Sequence, residues 1–585
     1  MARSYIGLAT TEHDSAIAFV DAGGKVLFAE ATERHLQSKM ASGIPPDREH
    51  RTAQLMEKFC KPNTDIVVGF SWSEHRAAGR RQYLQNIAAA DTALERMFGC
   101  VPDYAQERLA RSRWMVKSSI AMDELSGEAL EMDLRTLAGS GARKVLRRRY
   151  DHHLAHAASA CFTSPFEEAV CAVIDGYGER GSYAFYRYQD GDLTLLGPPP
   201  EYTPGIESLG NFYSWVCDAC GFDSLKGEEW KVMGLAAYGR HDEGLFRRFR
   251  DMACAEGVGL RRIPEERIFE QWKLLHELRR RPGVPALAAA DMAYTAQEVF
   301  TSVLYDVLNR LYEIGGSRNL VLGGGCGLNS AANGGILANT PFDRLHLFSA
   351  PGDDGNAVGA ALLAFREDHP DWCPTPCVQS PYLGSSMSAE SVRNLQRFAR
   401  IEGMRLCGDD APEQAARLLA QGKIVGWIQG RAEFGPRSLG NRSILADPRS
   451  PGIKDRLNAQ VKFREEFRPF APAILHEFGA EYFDDYQESP YMERALRFKP
   501  AVRDKVPGVV HEDGTGRLQT VKKEWNERYH RLVRHFHALT GVPLVLNTSF
   551  NVMGKPISHS VEDVLGVFYT TGLDAVFIDD LLLLK

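Results

Sequence analysis

Residues 5–28 read YIGLATTEHDSAIAFVDAGGKVLF, and this stretch decides the fold. Tyr5-Ile6-Gly7-Leu8 predicts a strand, Thr10-Thr11-Glu12-His13-Asp14 a polar turn, and Ser15 to Val20 a second strand. Ala22-Gly23-Gly24 is a hairpin turn into a third strand from Lys25 to Phe28. The same order returns in residues 169–186, AVCAVIDGYGERGSYAFY. Here Ala169 to Ile174 is a strand, Asp175-Gly176-Tyr177-Gly178-Glu179 a glycine-rich acidic turn, and Ser182 to Tyr186 another strand. Gln189 to Asp192 makes the next hairpin turn. Two hairpins, each led by an acidic turn, suit a two-lobed α/β fold in which each lobe offers one hairpin to phosphates or a metal.

Working outward, Val299, Phe300, Val303, Leu304, Val307, Leu308 and Leu311 recur at helical spacing, and Gly315-Gly316 stops the helix. Asn319 to Leu322 is then a strand that runs into Gly323-Gly324-Gly325-Cys326-Gly327-Leu328-Asn329. Gly324 and Gly325 could bring backbone N–H groups close to a nucleotide or make a tight packing turn. Glu367 to Ser386 is proline-rich and reads as a linker. Residues 1–370 are therefore expected to form one domain, 371–386 the connection and 387–585 a second domain. The charged segment from Arg76 to Arg143 is helical in pattern and points to no chemistry.

The net charge of −7 provides no basic face for nucleic acid, and the basic run Lys144 to Arg149 reads as a solvated strand or helix end. The N-terminus lacks a signal-peptide layout, no stretch approaches the ~20 apolar residues of a membrane span, and 11 scattered cysteines suit reduced thiols. A cytoplasmic protein with no membrane and no nucleic-acid partner is expected. Cys217 and Cys220, the single C-x-x-C, read as buried small side chains.

Three motifs can carry chemistry. His152 and His156 stand four residues apart in DHHLAHAASA, on one face of a helix, where two imidazoles can grip one metal ion. Asp175 follows one strand later, and a second acidic turn, Gly352-Asp353-Asp354-Gly355-Asn356, supplies a further carboxylate, with Asp354 preferred over Asp353. Two histidines and two aspartates suit Fe(II), Mn or Zn. The segment GEEWKVMGLA, residues 227–236, combines a glycine turn, acids and Lys231. Beyond the linker, cations interleave with Phe and Pro in GPRSLGNRS (435–443), KFREEFRPF (462–470) and DGTGRLQTV (513–521), and NTSFN (547–551) leaves a strand. Arg and Lys ordered among aromatics need anionic partners, and a doubly phosphorylated pair of substrates would supply them.

These stretches, taken with HDSAIAFV, GGGCGLN and LNTSFN, resemble the NodU/CmcH family of O-carbamoyltransferases in order over nearly the whole chain. The resemblance implies an N-terminal actin/Hsp70-like (ASKHA, TsaD-like) two-lobed domain and a C-terminal YrdC-like domain. It implies that the C-terminal part makes carbamoyl-adenylate from carbamoyl phosphate and ATP with Mg2+, releasing pyrophosphate and phosphate. The N-terminal part then passes the carbamoyl group to a small-molecule alcohol, typically a specialised metabolite such as an antibiotic. By the same resemblance Arg437, Lys462, Arg468 and Arg517 are the first-step cations, with Asn547 and Ser549 beside them. Lys231 and Asn329 fall in nucleotide-contacting motifs, and His152, His156, Asp175 and Asp354 hold iron. His13, beside Asp14, is the candidate for binding or deprotonating the acceptor hydroxyl, the alternative being a turn-capping role. A homodimer is compatible with the sequence.

The competing reading is a tRNA threonylcarbamoyladenosine-type enzyme, against which the acidic balance and the full set of C-terminal motifs both argue. A sugar or acetate kinase would leave the C-terminal cations unexplained, and a non-catalytic binding module would leave the metal set unexplained.

Overall fold

The computed structural model describes residues 3–48, 51–62, 64–137, 144–197 and 208–585. The chain divides into two compact units. One comprises Met1–Glu33, Met40–Leu328 and Ile336–Gln379, and the other Arg34–Lys39, Asn329–Gly335 and Ser380–Lys585. Among the described residues no helix is long and apolar enough to cross a membrane.

The first unit holds two sheets with the same plan. In the first lobe β1 (Arg3–Ala9), β2 (Ala16–Val20), β3 (Val26–Ala31), β4 (Asp65–Phe70) and β5 (Val145–Arg149) lie in the order β3-β2-β1-β4-β5. β1 runs antiparallel to β2, with Gly7 opposite Ala18, and parallel to β4, with Gly7 opposite Gly69. Between β4 and β5 the charged insert forms α1 (Arg76–Phe98), α2 (Asp103–Leu125) and α3 (Glu128–Leu137). Its last residues, 138–143, lie outside the described part. Ile6, Leu8, Ile17, Phe19, Val68 and Phe70 pack into this lobe's core, the two-sided burial expected where helices cover a partly parallel sheet.

The second lobe begins with α4 (His152–Phe162) and continues through β6 (Glu168–Ile174), β7 (Tyr183–Gln189), β8 (Asp192–Leu195), α5 (Leu209–Ala219), α6 (Glu229–Ala236) and α7 (Ala290–Gly315). It closes with β9 (Asn319–Gly323), β10 (Arg344–Leu347) and α8 (Asn356–Asp368). Its sheet order is β10-β9-β6-β7-β8, again a hairpin on one side of the leading strand and two parallel strands on the other. The duplication read in the sequence is thus a duplication of lobes. The basic run is the edge strand β5, where Arg147 pairs with Glu128 and Glu131, and Arg148 with Glu367 and Asp368.

The second unit is built on one nine-stranded sheet. Its strands are β11 (Arg405–Leu406), β12 (Val425–Ile428), β13 (Arg442–Ala446), β14 (Ala471–Leu475), β15 (Arg494–Arg497), β16 (Thr515–Val521), β17 (Leu544–Ser549), β18 (Ala575–Ile578) and β19 (Leu581–Leu584). They lie in the order β11-β19-β18-β12-β13-β17-β14-β16-β15. Trp427, Ile444, Ile474, Leu518, Leu546 and Phe577 form its core with the helix Glu527–Thr540.

In the first unit, α8 lies against β1, β4 and α4 at backbone distance. A Cβ on Gly7 would stand 1.8 Å from the Ala357 carbonyl oxygen, one on Gly69 2.3 Å from that of Ala360, and one on Gly359 1.9 Å from that of Ala155. Glycine is required at all three because backbone, not a movable side chain, fills the space. Gly359→Ala is expected to lower stability by about 3 kcal/mol, the upper end for forced overpacking, read as a clear drop in Tm. Gly566→Ala, in a helix with nothing within 4 Å of the new methyl, should leave Tm unchanged or raise it. Equal Tm values for the two variants would remove the close approach as a constraint.

Candidate metal centre and anion site

Asp151 caps α4, accepting a hydrogen bond from the Leu154 N–H at 3.1 Å. The cap starts the helix so that His152 and His156, one turn apart, point the same way. They meet Asp175, at the exit of β6, and Asp353, in the 3-10 turn before α8. Nε2 of His156 lies 3.2 Å from Nε2 of His152 and from Oδ1 of Asp353, and 3.3 Å from Oδ2 of Asp175. His152 Nε2 is 3.3 Å from Asp175 and 3.5 Å from Asp353. All four residues are buried and their ligand atoms fall within 4.8 Å of one another. Five of the six separations are 3.2–3.5 Å, close to the edge of about 3.3 Å that places a tetrahedron's centre about 2.0 Å from each corner, the distance at which a divalent cation takes imidazole nitrogen and carboxylate oxygen.

The fourth member of this set is Asp353, not the expected Asp354. In a 3-10 turn successive side chains diverge by about 120°, so only one of two neighbours can face the histidines. Asp354 accepts the Gly355 N–H at 3.0 Å instead. Burial, then the charges of Asp14 and Glu33, push its carboxyl up to about 8.

The surrounding groups fit a cation. Asp175 Oδ1 accepts N–H groups from Gly176 at 2.8 Å and Gly325 at 3.0 Å, which leaves Oδ2 for the cluster. The Gly325 N–H is thereby committed to Asp175 rather than free for a nucleotide, a correction to its expected role. Gly324 turns the chain at φ +86, where a Cβ would meet the Ile174 carbonyl at 2.3 Å. The Asn356 amide sits 3.4 Å from His152 Nδ1, and its Oδ1 is buried without a partner among the described residues. Turning that oxygen to an Nδ1–H satisfies both groups and leaves Nε2 with a lone pair for a metal. Without a cation, burial lowers the basicity of His156, but hydrogen bonds to Asp175 and Asp353 raise it to about 9. His152 is raised by the same aspartates against the same burial. Asp353, though burial opposes it, is held well below the carboxylate range by the His152 charge.

His13 lies on the turn after β1, its Nδ1 3.1 Å from Asp14 Oδ2. Burial opposes its charge, but Asp14, Asp353 and Glu12 raise its pKa well above the ordinary 6.5, which favours the charged form. On α6, Lys231 pairs with Glu228 at 2.7 Å. Glu229 accepts the Ser214 hydroxyl at 2.7 Å, its carboxyl raised by burial. Cys217 and Cys220 are buried free thiols. Asn329 groups with the second unit, where its Oδ1 accepts the Ala332 N–H at 3.1 Å as a helix cap.

The second unit gathers the expected cations. Glu433 shapes the first loop by accepting N–H groups of Leu439 and Asn441 at 2.7 Å and Arg442 at 3.2 Å. Arg437, on that loop, has no acceptor among the described residues. Burial, then the charge of Arg517, push its pKa well below the ordinary value. Burial also lowers Arg517, to about 10, and its Nε has no partner among the described residues. Arg468 makes a 3.4 Å contact with Glu465. Arg464, which sequence reasoning passed over within the KFREEFRPF motif, belongs here too: burial first, then Arg468 and Arg517, depress it. Lys462 differs from its neighbours. A π-turn, Asn458–Lys462, ends in Phe463 at φ 49. It delivers the ammonium to the Ser549 carbonyl (2.8 Å) and to the Asn551 carbonyl and Oδ1 (2.7 and 2.6 Å). Its three N–H groups therefore organise the exit of β17, where Ser549 donates to Asn551. Asn547 donates to Gln519 and Ser438. Clustered, half-buried guanidiniums with few carboxylates are unfavourable unless an anion joins them.

The family model for the carbamoyltransferase N-terminus matches residues 4–362, and that for the carbamoyltransferase C-terminus residues 416–585. Nodulation protein NolNO of Sinorhizobium fredii is 38% identical over 74% of this chain and 63% of its own length. Nodulation protein NolO of Bradyrhizobium diazoefficiens is 36% identical over 74% of this chain and 79% of that one. An uncharacterized protein of Synechocystis sp. is 31% identical over 99% of this chain and 96% of its own. Aligned solved structures, such as HypF of T. kodakarensis (13% identical, 64% of this chain, 49% of that one, TM-score 0.32), fall below the similarity that would show a shared fold.

A histidine raised in the folded state adds stability that is complete below its ordinary 6.5 and lost as pH climbs through about 9. The lowered Asp353 adds stability lost only in acid. Chelator-treated protein should therefore lose Tm between pH 6.5 and 9, and His156→Ala should flatten that slope. A divalent cation added near the upper limit should restore Tm by taking the place of the protons. A slope identical in wild type and His156→Ala would show that the cluster does not hold those protons.

Proposed function

We propose that this chain, which belongs to the carbamoyltransferase family, moves its carbamoyl group in two half-reactions, one in each unit. In the first, carbamoyl phosphate and water give carbamate and phosphate. A carbamate oxygen then attacks the α-phosphorus of ATP, supplied with Mg2+, and pyrophosphate leaves. In the second, the hydroxyl oxygen of a small-molecule alcohol attacks the carbamoyl carbon of carbamoyl-adenylate, and AMP leaves with the electron pair of the broken C–O bond.

The observation that carries this reading is the group Arg437, Arg464 and Arg517, half-buried, with Arg517 close enough to depress the other two and no carboxylate bonded to any of them among the described residues. Two phosphorylated substrates supply the anions, and fixed guanidiniums then stabilise the charge that builds on the leaving phosphates. Arg468 joins them, while Lys462 holds the turn 549–551. This is the role expected of a YrdC-like part, and the two-lobed unit is the TsaD-like part. There His152, His156, Asp175 and Asp353 would hold Fe(II) or another divalent cation. When bound, that cation supplies Lewis-acid polarisation of a phosphoryl or carbonyl oxygen. His13, beside Asp14, would bind the acceptor hydroxyl, and the shift that favours its charged form suits donation of a hydrogen bond to the acceptor oxygen or the departing phosphate. Lys231, paired with Glu228, would present its charge to the adenylate phosphate.

With carbamoyl phosphate, ATP and a competent alcohol, the products should be AMP, pyrophosphate, phosphate and a carbamate ester. ADP as the nucleotide product would overturn the adenylate in favour of a kinase. Arg517→Ala should lose AMP formation by roughly 30- to several-thousand-fold, the equivalent of about 2–5 kcal/mol for an unpaired buried phosphate charge. His156→Ala should still release AMP, by hydrolysis of the adenylate, while the ester disappears. Both products are followed in parallel, and loss of AMP in His156→Ala as complete as in Arg517→Ala would contradict separate half-reactions.

A further inference from the structure

The helical insert after β4, which carries no recognisable motif, reaches the candidate metal centre through a stack of three flat groups. Trp72 lies with its indole 3.9 Å from the His152 ring, centroid to centroid, at an interplanar angle of 23°. The Arg76 guanidinium lies 3.7 Å from the centre of the same indole. Two planar groups cannot occupy one face of a ring at that distance, so the indole is sandwiched between imidazole and guanidinium. Trp72 is 2% exposed and Arg76 4%.

Each layer is pinned. The Trp72 Nε1–H donates to Thr11 Oγ1 at 3.3 Å. Arg76 donates to the Thr10 carbonyl at 3.0 Å, Ser119 Oγ at 2.5 Å, Asp123 Oδ1 at 3.2 Å and Glu12 Oε2 at 3.4 Å. Thr10, Thr11 and Glu12 form the turn that carries His13, whereas Ser119 and Asp123 stand on α2. Ser73, next to Trp72, donates through its N–H and its hydroxyl to Glu179 of the other acidic turn. None of these residues supplies an atom to the four-ligand set.

An imidazole binds a cation along the lone pair in its own plane, so a rotation of the ring about χ2 moves that lone pair off the ion. Asn356 reaches the edge of His152 and cannot fix the plane alone; the indole face does. The cation on the far side draws on the indole π-system and holds it flat. We propose that Trp72 and Arg76 are positioning residues for the metal centre: they lock the ring plane of His152 and so set the affinity and geometry of the bound cation. This rests on the reading of the four-residue cluster as a metal site. The consequence for the fold is that the insert is part of the site's support and not an ornament.

The test uses full-length protein stripped of metal and titrated with Co(II), with Kd from calorimetry and ligand geometry from the visible spectrum at saturation. Trp72→Ala is expected to weaken Kd by about 10- to 100-fold, as loss of an outer support does, and to shift the d–d bands. Trp72→Phe, which keeps a flat partner, should recover most of the affinity and the wild-type spectrum. Arg76→Met should fall between. Trp114→Ala, at an exposed position on α2, should bind as wild type does. If Trp72→Ala fails to fold, the Phe and Met variants carry the comparison. Wild-type Kd and spectrum in Arg76→Met and in the folded Trp72 variants would overturn the proposal while leaving the metal reading intact. Absence of Co(II) binding by the wild-type protein would overturn the metal reading, and the proposal with it.

Discussion

The first unit depends on one close approach. Helix α8 meets β1, β4 and α4 with backbone against backbone, because Gly7, Gly69 and Gly359 leave no Cβ in the way. Helix ends inherit the precision of such contacts. The turn that opens α8 brings Asp353 to His152 and His156, and the first residue of the helix, Asn356, reaches the Nδ1 edge of His152. A helix set a methyl's width further out would move both residues together. The same carboxylate logic works from the other side, where Asp175 takes the Gly325 N–H and so ties the glycine turn after β9 to the histidines of α4.

The two units manage buried charge in opposite ways. In the first, two imidazoles and two carboxylates nearly balance, and the cost of burial is offset by short contacts within the cluster. In the second, half-buried guanidiniums stand together, Arg517 depressing Arg437 and Arg464, with few carboxylates to answer them. The first arrangement is stable when empty and exchanges protons for a cation. The second is an arrangement whose cost of burial an anion would offset. The proposed two half-reactions would use both, one to gather phosphates and the other to pass the carbamoyl group on.

Much of this was legible in the chain. The strand-turn-strand duplication follows from alternation and glycine punctuation, and the lobes repeat as read. The His152/His156 pair follows from helical spacing alone. What was lost lies where no period exists. Asp353 and Asp354 are adjacent in a 3-10 turn, and only the turn's rotation says which one faces inward. Arg464 sits in a motif dense with cations, and spacing does not rank them. Lys462 reads as a phosphate ligand until the π-turn before it is seen to aim its ammonium at residues 549–551. The insert is silent because Trp72 and Arg76 act through one stacked contact on a side chain far along the sequence, which no local pattern records.

The segment Arg34–Lys39 and the segment Asn329–Gly335 belong to the second unit although the first unit's chain encloses them. Arg34 grips the carbonyl of Gly435, in the loop that presents Arg437. Asn333 holds the carbonyl of Glu493. The later half of the gene therefore does not encode a self-sufficient cassette: a crossover at the linker would separate the second unit from two of its own pieces.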